Sequence, residues 1–295
     1  MRCGIRRLAS HLVSGRRNAM VRDHTATDGE CGMAGTITLT RDGAVATLTL
    51  SNPDKLNAFD KPMWHALIGH LKELEADETT RVVVMRGGPG SNGSRSFSPG
   101  ADISEFESER NSPEQGASYG DLMDEGLDGL RALRQPVLAA IDGPCCGIGL
   151  AVALACDLRV CSESSRFGVP VSRLGISMGP TELKLVADVA GGPAALEILL
   201  EGRVFGAAEA KDKNLVHRVV EDEGFEAEIA ATIQRIAAGA PLAATLHKRY
   251  VRRLSDPAPL TDAEIAACYR CFGTEDFREG YRAFLEKRKP VFTGR

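Results

Sequence analysis

Two loops of small residues constrain this chain more than any other feature. The first covers residues 96–103 (SFSPGADI), and the second covers residues 142–151 (DGPCCGIGLA) and opens an Ala/Leu-rich helical segment. Glycine lets a backbone approach a ligand closely, and N–H groups at a helix start favour negative charge. Two N–H groups aimed at one oxygen are the parts of an oxyanion hole. Either loop alone indicates only a turn, so the prediction depends on the pair.

Composition limits the classes of protein to which the chain can belong. Its 295 residues suffice for one large domain or two small ones, and 43% hydrophobic with 26% charged residues is typical of globular proteins. The net charge of −4 disfavours a nucleic-acid partner. No apolar run reaches the roughly 20 residues that span a bilayer, so no membrane partner is predicted. We interpret the eight cysteines as reduced thiols, and no metal-ligand cluster is evident.

Residues 1–34 differ from the remainder of the chain. Several arginines precede the first acid, Asp23, and a basic, acid-poor start is typical of an organelle transit peptide. The alternative is a disordered tail, or an upstream start with translation from Met20 or Met33. The Ala, Gly and Arg usage favours this alternative and a bacterial, cytoplasmic protein. A eukaryotic source would make the segment a mitochondrial leader.

The hydrophobic pattern predicts an α/β core followed by a helical region. Residues 36–40 and 44–50 alternate with period two around a turn, which indicates a hairpin. Further strands are predicted at 81–86, 136–141 and 158–161, and helices at 61–75, 114–133 and 147–156. After residue 192 the pattern is nearly all helical, at 192–201, 207–212, 222–238, 241–253, 261–272 and 275–288. We therefore place an α/β core at 35–200 and a helical region at 201–295.

Four segments together resemble the crotonase superfamily of enoyl-CoA hydratases and isomerases. They are 52–58 (NPDKLNA), 100–103 (GADI), 143–157 and 275–290 (EDFREGYRAFLEKRKP), and they occur in family order. The resemblance implies a crotonase-like ββα spiral core with a helical C-terminal trimerisation region. It also implies an acyl-CoA thioester as partner, a homotrimer or dimer of trimers, and no cofactor beyond the coenzyme A of the substrate.

The resemblance assigns roles to individual residues. The backbone N–H groups of Ala101 and Ile148 would hold the thioester oxygen, with the dipole of the Ile148 helix adding to the field. An isoleucine at 148 is bulkier than the usual glycine. The residues that would bind coenzyme A are Lys55, Leu56, Ala58, Gly100, Asp102, Ile103, Gly147, Phe284 and Lys287. Phe284 and Lys287 would reach the substrate of an adjacent subunit.

The chain departs from the family at the two catalytic glutamates. Their positions hold Ala151 and Val171, and neither side chain can act as a general acid or base. Glu182, in the loop 174–182, is the first candidate for a substitute. The alternative for Glu182 is a structural acid in the first turn of a helix. Further candidates are Asp121, Asp124 and Glu125 on the helix 114–133.

Three functions follow as hypotheses. The first is noncanonical enolate chemistry, either isomerisation with Glu182 or decarboxylation without a base. The second is a non-catalytic acyl-CoA carrier or sensor. The third is enoyl-CoA hydration with a substitute acid or base, which the missing glutamates disfavour.

Overall fold

The computed structural model describes residues 34–295. The predicted tail therefore lies outside the described residues, apart from Ala34. The strands of the described part are β1 (Thr36–Asp42), β2 (Val45–Ser51), β3 (Val82–Gly87), β4 (Val137–Ile141), β5 (Pro144–Cys146), β6 (Leu158–Ser162), β7 (Arg166–Gly168), β8 (Val204–Gly206) and β9 (Arg218–Val220). The helices are α1 (Lys61–Ala76), α2 (Phe106–Glu109), α3 (Pro113–Ala132), α4 (Ile148–Ala155), α5 (Pro180–Ala190), α6 (Gly192–Glu201), α7 (Ala207–Asp212), α8 (Phe225–Ala237), α9 (Pro241–Arg253), α10 (Asp262–Cys268) and α11 (Glu275–Leu285).

The nine strands of the described residues form two sheets. Six strands pair in the order β1-β2-β3-β4-β6-β9, and three pair in the order β5-β7-β8. The predicted hairpin is confirmed, because β1 and β2 pair antiparallel from Thr36 opposite Ser51 to Asp42 opposite Val45. From β2 onward, neighbours in the larger sheet run parallel.

Both faces of the larger sheet are covered. On one face, Met85 and Ala139 join a large cluster that includes Leu67 of α1 and Leu127 of α3. On the other face, Val84, Leu138 and Val160 pack with side chains of α8. Parallel strands buried on both faces are near-continuous apolar runs, which is why the sequence shows β3 and β4 without alternation.

The prediction of a nearly all-helical region after residue 192 is confirmed, and two short strands that it did not include, β8 and β9, lie between the helices. The three residues of β9 extend the larger sheet by pairing with β6, from Arg218 opposite Val160 to Val220 opposite Ser162. A strand of three residues is too short to show period two, so only its tertiary partner identifies it. The predicted helix 275–288 also ends early, because Lys287 adopts a left-handed φ of 55° and terminates α11.

An ion-pair cluster holds α9 against the core. Asp157, which follows α4, accepts from Lys248 Nζ at 2.8 Å and from Arg252 at 2.7 Å. Lys248 Nζ also donates to the Gln135 carbonyl oxygen at 2.8 Å. These contacts connect the C-terminal helices to the element that follows the second small-residue loop.

The helices of residues 34–295 can be compared with the length and hydropathy of a membrane span. No single helix there is both long and apolar enough to cross a bilayer. Within these residues, one pair of helices is long and apolar enough when both are taken together, but the two are bent by 100°. The pair is Asp222–Ala237 with Pro241–Arg253.

Candidate active site

The two small-residue loops lie side by side and are hydrogen-bonded in register. The Ser98 N–H donates to the Pro144 carbonyl at 2.9 Å, and the Cys146 N–H donates to the Ser98 carbonyl at 2.9 Å. Gly149 permits this contact, because a Cβ at that position would lie 2.5 Å from the Ser98 carbonyl oxygen. The structure therefore brings together the two segments that the sequence pairs.

Each loop presents one backbone N–H without a protein acceptor in the range 34–295. On one side, Phe59 N–H donates to Gly100 O and Asp102 N–H donates to Phe59 O, which leaves the Ala101 N–H on the opposite edge of its strand. On the other side, Ile148 is the first residue of α4, where helical N–H groups have no intrahelical partner. Neither N–H donates to another residue of this part of the chain.

A cavity of about 610 Å³ opens beside these loops. Six of the site residues expected from the sequence contribute to its wall, namely Gly100, Ala101, Ile103, Gly147, Ile148 and Glu182. The remaining wall is mainly apolar and includes Phe106, Met123, Val171, Leu174, Ile176 and Met178. Ala151 does not reach the cavity, because its side chain is buried inside the core.

Among residues 34–295, Glu182 is the only carboxylic acid that lines this cavity. It lies in the first turn of α5 with 4% of its surface exposed. Its Oε2 is buried without a hydrogen-bond partner among the described residues. Burial raises the pKa of the Glu182 carboxyl and the negative charge of Asp124 adds to this shift, while the nearby backbone N–H groups of the first turn and the positive charge of Arg110 oppose it without reversing it. A buried carboxyl with a raised pKa is the usual form of a general acid or base.

The other candidate acids are not brought to the cavity. Asp121 is exposed, and Glu125 pairs with Lys72 on the surface at 3.2 Å. Asp124 is half-buried and affects the cavity only through its charge near Glu182. Of the four candidate acids from the sequence, Glu182 alone lies in the wall of the cavity.

Comparison with known proteins identifies the family. The model of the family described as enoyl-CoA hydratase/isomerase matches residues 40–295. The chain belongs to the enoyl-CoA hydratase/isomerase family. The predicted crotonase membership and fold are thereby confirmed, and the chain is an acyl-CoA enzyme of this family.

Individual relatives cover most of the chain. It is 32% identical over 255 residues to a short-chain-enoyl-CoA hydratase of Clostridium acetobutylicum, which covers 86% of this chain and 95% of that protein. A probable enoyl-CoA hydratase of Bacillus subtilis is 32% identical over 261 residues, with coverage of 88% and 98%. The crystal structure of an enoyl-CoA hydratase/carnithine racemase from Magnetospirillum magneticum superimposes with a TM-score of 0.86. It is 49% identical and covers 89% of this chain and 97% of that one.

Lys55 and Asp102, both expected to contact coenzyme A in a member of this family, pair with each other. Lys55 Nζ lies 2.5 Å from Asp102 Oδ2 and also donates to Ser104 Oγ at 2.9 Å. Burial favours protonation of Asp102, but its bonds from Lys55 and Ser104 prevail and lower its pKa. Asp102 therefore orders the loop after Ala101, while Lys55 and Leu56 remain partly exposed beside it.

Two buried asparagines organise the first segment, and the sequence analysis did not assign them a role. Asn57 donates through Nδ2 to the carbonyls of Gly88 and Ser96, both at 2.8 Å. Asn52 donates through Nδ2 to the Ala58 carbonyl at 2.9 Å. These bonds connect segment 52–58 to the start of the first small-residue loop. The two carbonyls bonded by Asn57 lie 31 and 39 residues further along the chain, so its role cannot be recognised from spacing.

Phe284 and Lys287 lie away from the cavity in this chain. Phe284 is 82% exposed near the end of α11, and Lys287 follows in a left-handed turn. Their role at the site of an adjacent subunit therefore stays a prediction.

The sequence analysis also missed Arg110, whose side chain lines the cavity. Its guanidinium carbon lies 3.6 Å from the centroid of the Tyr119 ring. In the sequence, Arg110 ends an acidic stretch and resembles part of a solvated surface.

No metal site accompanies these groups, since residues 34–295 contain no cluster of three or more His, Cys, Asp or Glu suited to hold an ion.

Proposed function

We propose that this protein stabilises the enolate of an acyl-CoA thioester and moves protons with a single carboxyl group, Glu182. The observation that carries the proposal is the unpartnered Oε2 of Glu182 in the wall shared with Ala101 and Ile148. Coenzyme A enters as part of the substrate, and no separate cofactor takes part.

The reaction begins with the thioester carbonyl between the N–H groups of Ala101 and Ile148. The Glu182 carboxylate removes a proton from the α carbon of a 3-enoyl thioester, and the electron pair of the broken C–H bond delocalises onto the carbonyl oxygen as a dienolate, which can be protonated again at the γ carbon. The two N–H groups stabilise the resulting negative charge, each worth about 3 kcal/mol in comparable sites. Glu182 then returns the proton to a different carbon, which shifts the double bond without net loss or gain of atoms.

A single carboxyl suits isomerisation better than hydration. Water addition in this family is implied to use two glutamates, and the equivalent positions here hold Ala151 and Val171. A second candidate is hydration with Glu182 as the only acid and base, and the names of the hydratase relatives favour it. Decarboxylation without a base and carriage without turnover are the remaining alternatives.

The test is to incubate the purified protein with 2-enoyl, 3-enoyl and malonyl-type CoA thioesters in deuterated water. Mass spectrometry then follows each thioester. We expect deuterium incorporation with a double-bond shift. A gain of one water would support hydration instead, and loss of CO₂ would support decarboxylation. Unchanged thioesters that bind tightly would support the carrier.

Glu182→Gln is the decisive variant. It keeps the shape of the side chain but removes its acid–base capacity, and we expect turnover to fall about 100-fold or more. Glu125→Gln on the exposed side of α3 is the matched control and should retain wild-type turnover. Equal turnover in wild type and Glu182→Gln would exclude Glu182 as the proton-transfer group.

We also propose that further copies of the chain cover its exposed apolar side chains, as a homotrimer or a dimer of trimers. The supporting residues are Leu200 (76% exposed), Val251 (72%), Phe284 (82%) and Leu285 (73%). Isolated exposed apolar residues are common, but this many large ones favours an interface. Sedimentation velocity of the full chain measures the assembly, and a stable monomer would contradict it.

A further inference from the structure

We infer that Arg110 binds a carboxylate at the far end of the acyl group, so that the preferred substrates are CoA thioesters of dicarboxylic acids. This inference rests on the proposed function, because it takes the cavity as the acyl site. It adds a substrate class that neither the family nor the named relatives specify.

The first observation is how Arg110 is held. Its guanidinium stacks on the Tyr119 ring at 3.6 Å and lies 4.9 Å from the centroid of Phe106. The Tyr119 hydroxyl donates to Glu105 Oε2 at 3.1 Å, which fixes the ring. Burial raises the pKa of Tyr119 to about 12, so the ring remains neutral and its face attracts the cation. The guanidinium is therefore positioned before any ligand arrives.

The second observation is that Arg110 lacks an acidic partner within residues 34–295. It forms no ion pair with a carboxylate there, although its positive charge lowers the pKa of Glu182 from a distance, and its Nε is buried without a hydrogen bond. Besides the two aromatic rings, its guanidinium has one weak hydrogen bond within residues 34–295, from Nη2 to Met123 Sδ at 3.7 Å. By contrast, Arg203 on the surface contacts three carboxylates. Glu105 accepts instead from Lys61 N–H and the Tyr119 hydroxyl.

The third observation concerns the charge of the cavity. Its wall contains two guanidinium groups, Arg110 and Arg173, and one carboxyl, Glu182. The protein as a whole carries a net charge of −4, so this positive excess is local.

These observations together define the ligand chemistry. A guanidinium presents a planar fork of N–H donors that matches a carboxylate in two parallel bonds. Apolar side chains such as Phe106, Met123 and Ile176 line the same cavity and suit a methylene chain. Electrostatic attraction is stronger in such surroundings than in water. A chain with a thioester at one end and a carboxylate at the other satisfies both the N–H groups and Arg110.

Calorimetric binding to the full chain tests the inference with saturated thioesters, which do not turn over. The ligands are succinyl-, glutaryl- and adipyl-CoA, each compared with the monoacid of equal length: butanoyl-, pentanoyl- and hexanoyl-CoA. Because every ligand contains the same coenzyme A, its phosphates cancel in each comparison. For at least one length we expect the diacid to bind about tenfold tighter. Equal or weaker binding of all three diacids would overturn the inference.

Arg110→Met separates ligand binding from structural support. It keeps the length of the side chain and removes its charge, so we expect the diacid preference to vanish while monoacid affinity persists. Arg131→Met, on α3 and outside the cavity, is the control and should retain the preference. An equal loss for both ligand classes would assign Arg110 a merely structural role and overturn the inference.

Two further measurements keep the outcome decisive. If Arg110→Met does not fold, the charge of the ligand is removed instead. The wild-type protein is then titrated with the methyl ester of glutaryl-CoA, and this uncharged ester should bind like pentanoyl-CoA. Glu182→Gln should lose turnover but keep the diacid preference. Turnover that survives in Glu182→Gln would therefore contradict the proposed proton transfer alone, whereas a missing preference would contradict the role of Arg110 alone.

Discussion

At the residue scale, Glu182 occupies a position that favours chemistry over stability. Its carboxyl is nearly fully buried, and Oε2 has no hydrogen-bond partner among the described residues. A buried charge without a partner destabilises the folded state. Such a residue is expected at a functional site, where local rules for stability are often violated.

Glu182→Gln should be more stable than wild type at neutral and alkaline pH. Folding raises the pKa of Glu182 above its ordinary value of 4.5, so protonation of this carboxyl stabilises the folded protein. Its contribution to the free energy of unfolding is complete only below about pH 4.5. The contribution is lost as pH rises through the folded pKa. The difference in melting temperature between Glu182→Gln and wild type should therefore grow from acid to alkaline pH. Thermal unfolding across a pH series measures it, and a difference that does not change with pH would contradict the raised pKa.

At the element scale, the start of α4 is determined by glycines with separate tasks. Gly147 adopts a φ of 49° that side chains rarely accept, and it directs the chain into the helix. Gly149 leaves room for the Ser98 carbonyl. The proposed oxyanion geometry therefore depends on close packing of two backbones rather than on any polar side chain.

Gly149→Ala should separate the two loops while the fold persists. Its Cβ would lie 2.5 Å from the Ser98 carbonyl oxygen and 2.7 Å from Ser98 Cβ, so one backbone must move. Displacing one donor costs about 3 kcal/mol in catalysis, and we expect kcat to fall about 100-fold. Steady-state kinetics with circular dichroism checks activity and fold together.

Gly69→Ala is the control for that measurement. Gly69 lies on the exposed side of α1, and no heavy atom is within 4 Å of the added methyl group. Its activity should equal that of wild type. Full activity of Gly149→Ala would count against the oxyanion assignment.

At the scale of the whole molecule, a few polar contacts join the C-terminal helices to the sheet core. Asp157 forms ion pairs with Lys248 and Arg252 of α9, and it also accepts a hydrogen bond from Val137 N–H at 2.8 Å. The Lys248 side chain is only 7% exposed. Packing of α8 on the sheet and this cluster together connect sequence-distant segments.

Asp157→Ala should lower the free energy of unfolding by about 3 kcal/mol, because it leaves the buried Lys248 without its partner. Asp188→Ala is the control, since it removes an exposed pair with Lys184 on α5 and should change stability by less than about 0.5 kcal/mol. Denaturant unfolding measures both. An equal effect of the two variants would contradict the role of the cluster.

Sequence patterns predicted most elements because their determinants are local. The hairpin, the buried strands β3 and β4 and the helix after the second loop follow from periodicity and from turn residues. By contrast, β9 has only three residues, and its strand conformation depends on its pairing with β6. Hydrogen-bond partners supplied by a distant strand leave no periodic pattern in the sequence.

The sequence alone determined the family, the two small-residue loops and the absence of acids at 151 and 171, because these depend on residue identity in order. Tertiary structure alone decided which remaining groups meet. It buries Glu182 in the cavity, leaves Asp121 and Glu125 on the surface, and holds Arg110 against Tyr119. The physical reason is that burial, pKa and pairing of a charged group depend on neighbours from distant segments, and only folding brings those neighbours into contact.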